Sequence, residues 1–263
     1  MIRSESRDDV TYGTSTSARN RARSRSRRST DFSSDELLAI LDKHNELRGQ
    51  VSPQASNMER MSWDDDLATM AQEWSEGCYF GHGQPDNISP FSTLGQNLWL
   101  GTAGNTPPDG IGAVQAWYNE VQYYDYDTTE CSYVCGHYTQ VVWASSYALG
   151  CGRALCATAS SDTANYTNVY IITCNYGPAG NYQGAQPYQE GDSCTQCDSG
   201  VALCYNNLCG KSTILIMFLF VCLLLLLFLL SFQYDLTKQE NNNYELTPVK
   251  RLVLYIERPV NIH

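Results

Sequence analysis

The sequence predicts an α+β domain that is followed by a short cysteine-rich segment and one membrane-spanning helix. Helix and strand patterns mix in the middle of the chain without a regular βαβ period. Ten of the eleven cysteines precede a long apolar run, and an even number is typical of paired disulfides in an oxidising compartment. These observations divide the 263 residues into segments 1–32, 33–186, 187–210, 213–232 and 233–263.

The first segment, residues 1–32, is rich in Arg and Ser and nearly free of large apolar side chains, so we predict that it is disordered. It contains no apolar stretch of the kind that an export signal needs, which conflicts with the disulfide argument. One resolution of this conflict is a start of translation that lies upstream. The string Arg25-Ser26-Arg27-Arg28 matches the Arg-x-Arg-Arg pattern that furin-like convertases cut. The alternative is a simple solvated tail.

The charge of the middle segment excludes nucleic-acid binding. Residues 33–210 contain twenty acidic side chains and four basic ones, a balance of −16. Such a surface repels phosphates, although eight arginines lie within residues 1–28. Two N-glycosylation sequons, which begin at Asn87 and Asn165, favour an extracellular or lumenal location.

Two helices are predicted in the first part of the domain. Ser33 and Glu36 have the spacing of a capping box, and leucines then recur on one side of the helix. A second helix is predicted to start at Ser62 as N-cap, with three aspartates in its first turn, and to end at Cys78. His82 then lies just beyond a helix terminus, where its side chain can face a cleft.

A third amphipathic helix is predicted to begin at Ile111, with Val114, Trp117 and Val121 on its inner side and Glu120 on the neighbouring flank. A tyrosine-rich loop follows this helix. The octapeptide of residues 136–143 is apolar and aromatic, which fits a buried strand or a buried helix. Residues 148–154 and 168–176 have the composition of strands.

Three strings of residues resemble a known family. They are Gly95-Gln96-Asn97-Leu98-Trp99, Gly136-His137-Tyr138-Thr139-Gln140-Val141-Val142-Trp143, and Cys174-Asn175-Tyr176-Gly177-Pro178-Ala179-Gly180-Asn181-Tyr182. In this order they resemble the CAP superfamily, which groups cysteine-rich secretory proteins, venom-allergen-type proteins and plant pathogenesis-related proteins. The resemblance covers roughly residues 35–232 and is closest to the membrane-anchored glioma pathogenesis-related branch. It implies a three-layer α-β-α sandwich (CAP, or SCP, domain) for residues 33–186, and a packing role for His44 in the His-Asn-x-x-Arg signature of the first helix.

The resemblance also implies which cysteines pair. The expected disulfides are Cys78–Cys156, Cys131–Cys135, Cys151–Cys174, Cys194–Cys204 and Cys197–Cys209. Residues 187–210 resemble the hinge of cysteine-rich secretory proteins without their further ion-channel-regulator cysteines, which argues against channel blocking. The competing interpretation of this segment is a zinc knuckle on its four cysteines.

The apolar run from Ile214 to Phe232 is uncharged and, as a helix, about 28 Å long, which matches the hydrocarbon core of a bilayer. Charged residues follow it, whereas a removable GPI signal would end the chain at its apolar tail. Lys238, Lys250 and Arg251 favour a cytosolic tail. We therefore predict a single-pass membrane protein whose CAP domain is extracellular or lumenal, and present in the extracellular space if it is cleaved.

In the resembled family a pocket is lined by two histidines and two acidic residues, and the matching positions here are His82, Gln96, Glu120 and His137. Gln96 stands where glutamate is frequent, so one carboxylate is missing. His82, His137 and Glu120 remain a ligand set for Zn²⁺ or another divalent cation. We expect weaker metal binding than with two carboxylates, and no cofactor is required.

Aromatic side chains are unusually abundant in the predicted loops and offer flat contact area for an apolar ligand. The candidate ligand contacts are Trp99, Tyr118, Tyr123 and Tyr124, with Tyr126, Tyr182 and Tyr188 as further loop aromatics. The alternative is that these side chains only cover a disulfide-stiffened surface. The family resemblance implies a sterol or a fatty-acid-like lipid as the ligand.

We predict from these features a non-enzymatic protein that binds a small apolar ligand or an extracellular protein partner. One alternative is a metal-dependent hydrolase or protease that uses His82, Glu120 and His137, with Tyr138 or Thr139 as hydrogen-bond donor to the oxyanion. The other is a purely protein-binding ectodomain in immunity or adhesion.

Overall fold

The computed structural model describes residues 31–83, 90–198 and 202–211. The elements in chain order are α1 (Ser34–Arg48), β1 (Ser62–Trp63), α2 (Asp65–Glu76), β2 (Gly95–Thr102), α3 (Ile111–Tyr118), a 3-10 helix (Asn119–Tyr123), α4 (Gly136–Val141), β3 (Ala148–Ser160), β4 (Asn165–Gly177), β5 (Ala202–Tyr205) and β6 (Leu208–Lys211). Strands β1 to β4 form one sheet and β5 and β6 a second, two-stranded one. The α+β class predicted from the sequence is confirmed.

The larger sheet has the strand order β1-β3-β4-β2, so β2 lies at an edge. The β3–β4 pair and the β4–β2 pair are antiparallel, whereas the short β1 runs parallel to β3. Side chains alternate between the two faces of β4. Thr173 hydrogen-bonds to Ser75 of α2, and Asn175 donates to the Leu67 carbonyl of α2.

The neighbouring residues of β4 face the opposite layer. Ile172 and Tyr176 belong to the main core together with Ile40 of α1, Val114 of α3 and Val141 of α4. Helices therefore cover both faces of the sheet, as the three-layer sandwich requires. This arrangement leaves the edge strand β2 between the two helical layers.

Helix α1 begins as predicted. The Ser33 amide donates to the Glu36 carboxylate (2.7 Å), and the Ser33 hydroxyl accepts from the Glu36 amide (3.3 Å), which completes the capping box. The predicted tail, however, extended to residue 32, and Phe32 is buried under the guanidinium of Arg153. Asp31 accepts a hydrogen bond from Arg153 through its carbonyl, so the packed part of the chain includes residues 31 and 32.

The second helix starts two residues later than predicted. Asp64, not Ser62, is its N-cap, because the Asp64 carboxylate accepts from the Leu67 amide (2.9 Å). Ser62 and Trp63 instead pair with Ala148 and the next residue of β3. A strand of two residues was not predicted.

The third helix and the strands also differ from the expectation in extent. Helix α3 ends at Tyr118 and continues as the 3-10 helix, whose tighter turn leaves Val121 exposed instead of on the inner side. Strands β3 and β4 extend beyond the predicted ranges and form a long hairpin. The octapeptide begins with the helix α4, and Gly95–Thr102 is an additional strand that was not assigned from the sequence.

All five disulfides predicted from the family resemblance are present. The sulfur atoms of Cys194, Cys197 and Cys209 lie within 4.8 Å of one another, a spacing that suits metal ligands. Each of these sulfurs is part of a disulfide, however, and zinc binds the thiolate. The zinc-knuckle interpretation is therefore wrong for this structure.

In the three described ranges, no helix combines the length and the apolar character that crossing a membrane requires. The predicted span at residues 213–232, the tail at 233–263 and the sequon at Asn87 lie outside those ranges, as do residues 1–30. The other sequon residue, Asn165, is exposed at the start of β4.

The packing of α2 on β3 depends on Gly152. A Cβ atom at this position would overlap the backbone of Gln72 in α2, which cannot move aside as a flexible side chain can. We expect Gly152→Ala to lower the free energy of unfolding by about 1–3 kcal/mol, measured by urea denaturation. The control is Gly112→Ala in α3, where a Cβ meets no atom within 4 Å. An equal loss of stability in both variants would contradict the explanation.

Candidate functional site

His137 and Glu120 form the first of two side-chain pairs at the predicted cleft. Glu120 lies in the 3-10 helix and His137 in the first turn of α4. The Nδ1 atom of His137 lies 2.6 Å from Oε1 of Glu120, and Oε2 accepts from the amides of His137 (3.1 Å) and Tyr138 (3.2 Å). Both carboxylate oxygens are therefore engaged by α4, which fits an orienting partner of the imidazole better than a direct metal ligand.

Two further contacts fix His137. The indole ring of Trp117 stacks on the imidazole with a centroid distance of 6.4 Å and an angle of 17°. Asn97 of β2 donates to the His137 carbonyl through its amide nitrogen (3.0 Å). Because Glu120 accepts at Nδ1, this nitrogen carries a proton, and in the neutral ring Nε2 has the lone pair.

His82 and Gln96 form the second pair. The Gln96 amide nitrogen donates to the Gly83 carbonyl (2.9 Å) and to Oδ1 of Asn175 (3.2 Å), which fixes the orientation of this amide. Its oxygen Oε1 then accepts from the Gly83 amide (3.3 Å) and faces Nδ1 of His82 at 3.2 Å. His82 must donate from Nδ1, so its Nε2 also keeps a lone pair.

The two pairs meet at consecutive residues of the edge strand β2. Gln96 faces the layer of α2 and contacts His82, whereas Asn97 faces the layer of α4 and contacts His137. Within the described part of the chain, one group of three possible metal ligands has all its donor atoms within 4.8 Å of one another. It consists of the disulfide cysteines Cys194, Cys197 and Cys209. His82, His137 and Glu120 do not form such a group, and the two imidazoles contact different residues of β2.

Two of the aromatic candidates lie close to the Glu120–His137 pair. Tyr118 and Tyr124 are half-buried and pack against the buried ring of Tyr138 at centroid distances of 5.4 and 5.8 Å. Burial raises the pKa of both hydroxyls, so they stay protonated at neutral pH and can donate hydrogen bonds. A half-buried aromatic surface with polar tips thus adjoins the pair.

The other aromatic candidates have different surroundings. Tyr123 is exposed and packs edge-on against Tyr133, and Trp99 is partly buried on β2. Tyr188, which was expected in a surface loop, is a core residue that stacks on Tyr126 at 4.8 Å. It is therefore no ligand contact.

The donors that the hydrolase alternative needs are engaged elsewhere. The Thr139 hydroxyl lies 2.6 Å from Oδ1 of Asn181 and 3.1 Å from the Cys135 carbonyl, so its proton is engaged within the protein. The side chain of Tyr138 is buried between Tyr118 and Tyr124. This geometry does not favour the acyl-transfer chemistry that was considered from the sequence.

His44 has the packing role that was predicted. Its ring is fully buried, with Nδ1 at 2.8 Å from the Ile40 carbonyl and Nε2 at 2.9 Å from the Tyr176 hydroxyl. The Tyr176 hydroxyl also accepts from Asn97 (3.2 Å), the residue that holds His137. Asn97 and Tyr176 were not predicted as supporting residues, although both stand in the strings that carry the family resemblance.

Comparison with known proteins gives consistent matches. The family described as "Cysteine-rich secretory protein family" (CAP) matches residues 41–176. GLIPR1-like protein 1 of Homo sapiens is 42% identical over 181 residues, which are 67% of this chain and 72% of that protein. Glioma pathogenesis-related protein 1 of Mus musculus is 43% identical over 66% of this chain and 64% of its own length. Peptidase inhibitor 16 of Mus musculus is 39% identical, and the match spans about a third (34%) of its length.

Solved structures agree with these matches. The crystal structure of Na-ASP-1 superimposes with a TM-score of 0.56 at 23% identity over 70% of this chain and 52% of that one, a likeness of fold. The crystal structure of NaASP2 with Zn²⁺ has a TM-score of 0.50 at 25% identity and covers 68% of this chain and 96% of that one.

Proposed function

Because this chain belongs to the CAP family of cysteine-rich secretory proteins, we propose that it is a non-enzymatic extracellular binding protein, tethered to a membrane by residues 213–232. The observation that carries the proposal is the engagement of the Thr139 hydroxyl by Asn181, with Tyr138 buried. This engagement supports a binding role over the hydrolase alternative. The five disulfides and the exposed sequon at Asn165 fit an oxidising, extracellular or lumenal location.

We propose a small apolar ligand with one polar group, a sterol or a fatty acid, at the aromatic surface beside the Glu120–His137 pair. Tyr118 and Tyr124 offer ring faces and protonated hydroxyls at this place. Such half-buried rings contribute contact area at a low cost in side-chain entropy. An extracellular protein is the alternative ligand.

The test uses cells that produce the full chain and photoreactive analogues of cholesterol and of a fatty acid. We expect labelling that excess unlabelled lipid competes away and that Tyr118→Ala reduces several-fold. The matched control, Tyr147→Ala, replaces an exposed tyrosine at the start of the β3 region and should leave labelling unchanged. Labelling that is absent, or equal in both variants, would refute the lipid ligand.

Divalent metal binding is a second candidate function, and the tautomers of both imidazoles favour it. Nε2 of His82 and Nε2 of His137 each keep a lone pair, because Gln96 and Glu120 hold the Nδ1 atoms. We propose a zinc ion with two imidazole ligands and with Glu120 as the oriented carboxylate behind one of them. A bound ion would supply positive charge for an anionic ligand.

We expect Gln96→Glu to tighten Zn²⁺ binding by about tenfold, since a carboxylate behind His82 raises the basicity of the ring as Glu120 does for His137. The stacking of Trp117 on His137 provides the measurement, a change in tryptophan emission during a zinc titration. His137→Ala should abolish this change. Gln50→Glu adds the same charge at an exposed position of the α1–β1 loop and serves as control. Equal effects of the two glutamates would contradict a specific site.

A further inference from the structure

The segment of residues 121–135, which we call the 121–135 hairpin, runs from the last turn of the 3-10 helix to the residue before α4. The Asp125 amide donates to the Glu130 carbonyl (2.9 Å) across its two arms. The disulfide Cys131–Cys135 ties the returning arm to the start of α4. This cross-link limits the conformational entropy that the hairpin loses when a partner binds.

The 121–135 hairpin exposes four large apolar side chains. The exposed fractions are 36% for Val121, 36% for Tyr123, 77% for Tyr133 and 40% for Val134. The rings of Tyr123 and Tyr133 pack edge-on at 5.4 Å, so the two arms share one aromatic surface. Single exposed apolar residues are ordinary on soluble proteins, whereas several on one cross-linked hairpin indicate an interaction site.

The same hairpin is acidic. Asp125, Asp127 and Glu130 are exposed on it. The amide and hydroxyl of Thr128 both donate to the Asp125 carboxylate at 2.9 Å and lower its pKa, so its charge persists at mildly acidic pH. The sequence contains no Lys or Arg between residues 60 and 153, so the long stretch that surrounds the hairpin supplies no compensating cation.

A recess of about 330 Å³ lies along the hairpin and combines both features. Tyr123, Tyr124, Asp125 and Glu130 are among the residues that line it. Aromatic faces and carboxylates together favour a guanidinium or an ammonium group, through cation–π contact and charge-assisted hydrogen bonds.

We propose that the 121–135 hairpin docks a cationic, apolar segment of a partner protein. An arginine or lysine of the partner enters the recess, and neighbouring apolar side chains cover Tyr133 and Val134. The charge of the hairpin repels anionic lipid headgroups and phosphates, which favours a protein over a membrane surface as occupant. This docking surface shares Tyr124 with the aromatic surface proposed for the apolar ligand, whereas Glu130, Tyr133 and Val134 belong to the docking surface alone.

The test measures fluorescence anisotropy of a short labelled peptide of alternating leucine and arginine with the purified full chain. We expect saturable binding that Tyr133→Ala and Glu130→Gln each weaken by about tenfold. Both side chains are exposed, so neither change should affect folding. The controls are Asp66→Asn on α2, with the same change of charge at an exposed position, and Tyr182→Ala, another exposed tyrosine. Both should bind as the unchanged chain does.

Three outcomes would overturn this proposal. The first is a loss of affinity in Asp66→Asn as large as that in Glu130→Gln, which means attraction to the acidic surface as a whole. The second is equal binding of a peptide with glutamate in place of arginine. The third is that Tyr133→Ala abolishes a different interaction, which is either binding to phosphatidylserine vesicles or self-association measured by sedimentation. The lipid-labelling experiment involves Tyr118 and can fail or succeed separately.

Discussion

Replacing Arg48 by methionine is expected to lower the free energy of unfolding by about 4 kcal/mol or more, which is a large fraction of the stability of a typical domain. The guanidinium is fully buried and donates to backbone carbonyls of Glu59, Val141, Trp143, Ala144 and Ser146. A buried acceptor that loses its donor costs about 1–3 kcal/mol, and this substitution affects several acceptors at once.

Arg48 also affects the surroundings of His137, because it donates to backbone carbonyls at and just after the end of α4. The last carbonyls of a helix have no partner inside the helix, and Arg48 satisfies that of Val141 (2.9 Å) and the nearby one of Trp143 (2.7 Å). Loss of these bonds releases the end of the helix that carries His137. Lysine should not restore stability, since its single ammonium group cannot reach all the acceptors that the guanidinium contacts through three nitrogen atoms.

Urea denaturation followed by circular dichroism measures the loss. The matched control is Arg60→Met, because Arg60 is only half-buried and lies over the ring of Tyr205 at 5.6 Å. We expect a change of about 1 kcal/mol or less in this variant. Comparable losses in the two variants would show that the carbonyl network of Arg48 contributes little.

The positions of the cleft residues could be predicted from the sequence, but their roles could not. His82, Gln96, Glu120 and His137 stand in or near strings with a family resemblance, and the structure pairs them two by two. That Glu120 binds two backbone amides of α4 depends on how the 3-10 helix approaches α4 in space. No local pattern contains this information, so Glu120 was assigned as a metal ligand.

Errors at element boundaries have a related cause. Ser62 and Asp64 are both favourable N-cap residues, and local propensity cannot decide between them. The decision comes from pairing of Ser62 with Ala148, a distant residue of β3, which draws Ser62 into a strand. Tyr188 shows the same limitation, because its burial depends on the contact with Tyr126 and not on any periodicity around it.

Acidification is expected to destabilise the domain through His44. Burial lowers the pKa of this imidazole from 6.5 to about 4, and the carbonyl of Ile40 offsets this only in part. The unfolded chain therefore binds a proton between pH 6.5 and about 4 that the folded chain does not bind. The stability that a neutral His44 contributes is complete above pH 6.5 and decreases as the pH falls toward 4, by a total of about 3 kcal/mol.

The measurement compares the free energy of unfolding of the unchanged chain with that of His44→Gln from pH 7.5 to pH 4. Glutamine keeps an amide that can bond to Tyr176 but has no proton to titrate in this range. We expect the variant to be less stable at neutral pH and the two curves to converge on acidification, because Glu36 and Asp125, whose pKa values are lowered, titrate equally in both proteins.

Protonation of His44 also removes the acceptor for the Tyr176 hydroxyl, which in turn bonds to Asn97 beside His137. The emission of Trp117, which stacks on His137, should therefore change near pH 4, where His44 of the folded chain takes up its proton, and should change less in the variant. Parallel stability curves would contradict a buried neutral imidazole at residue 44.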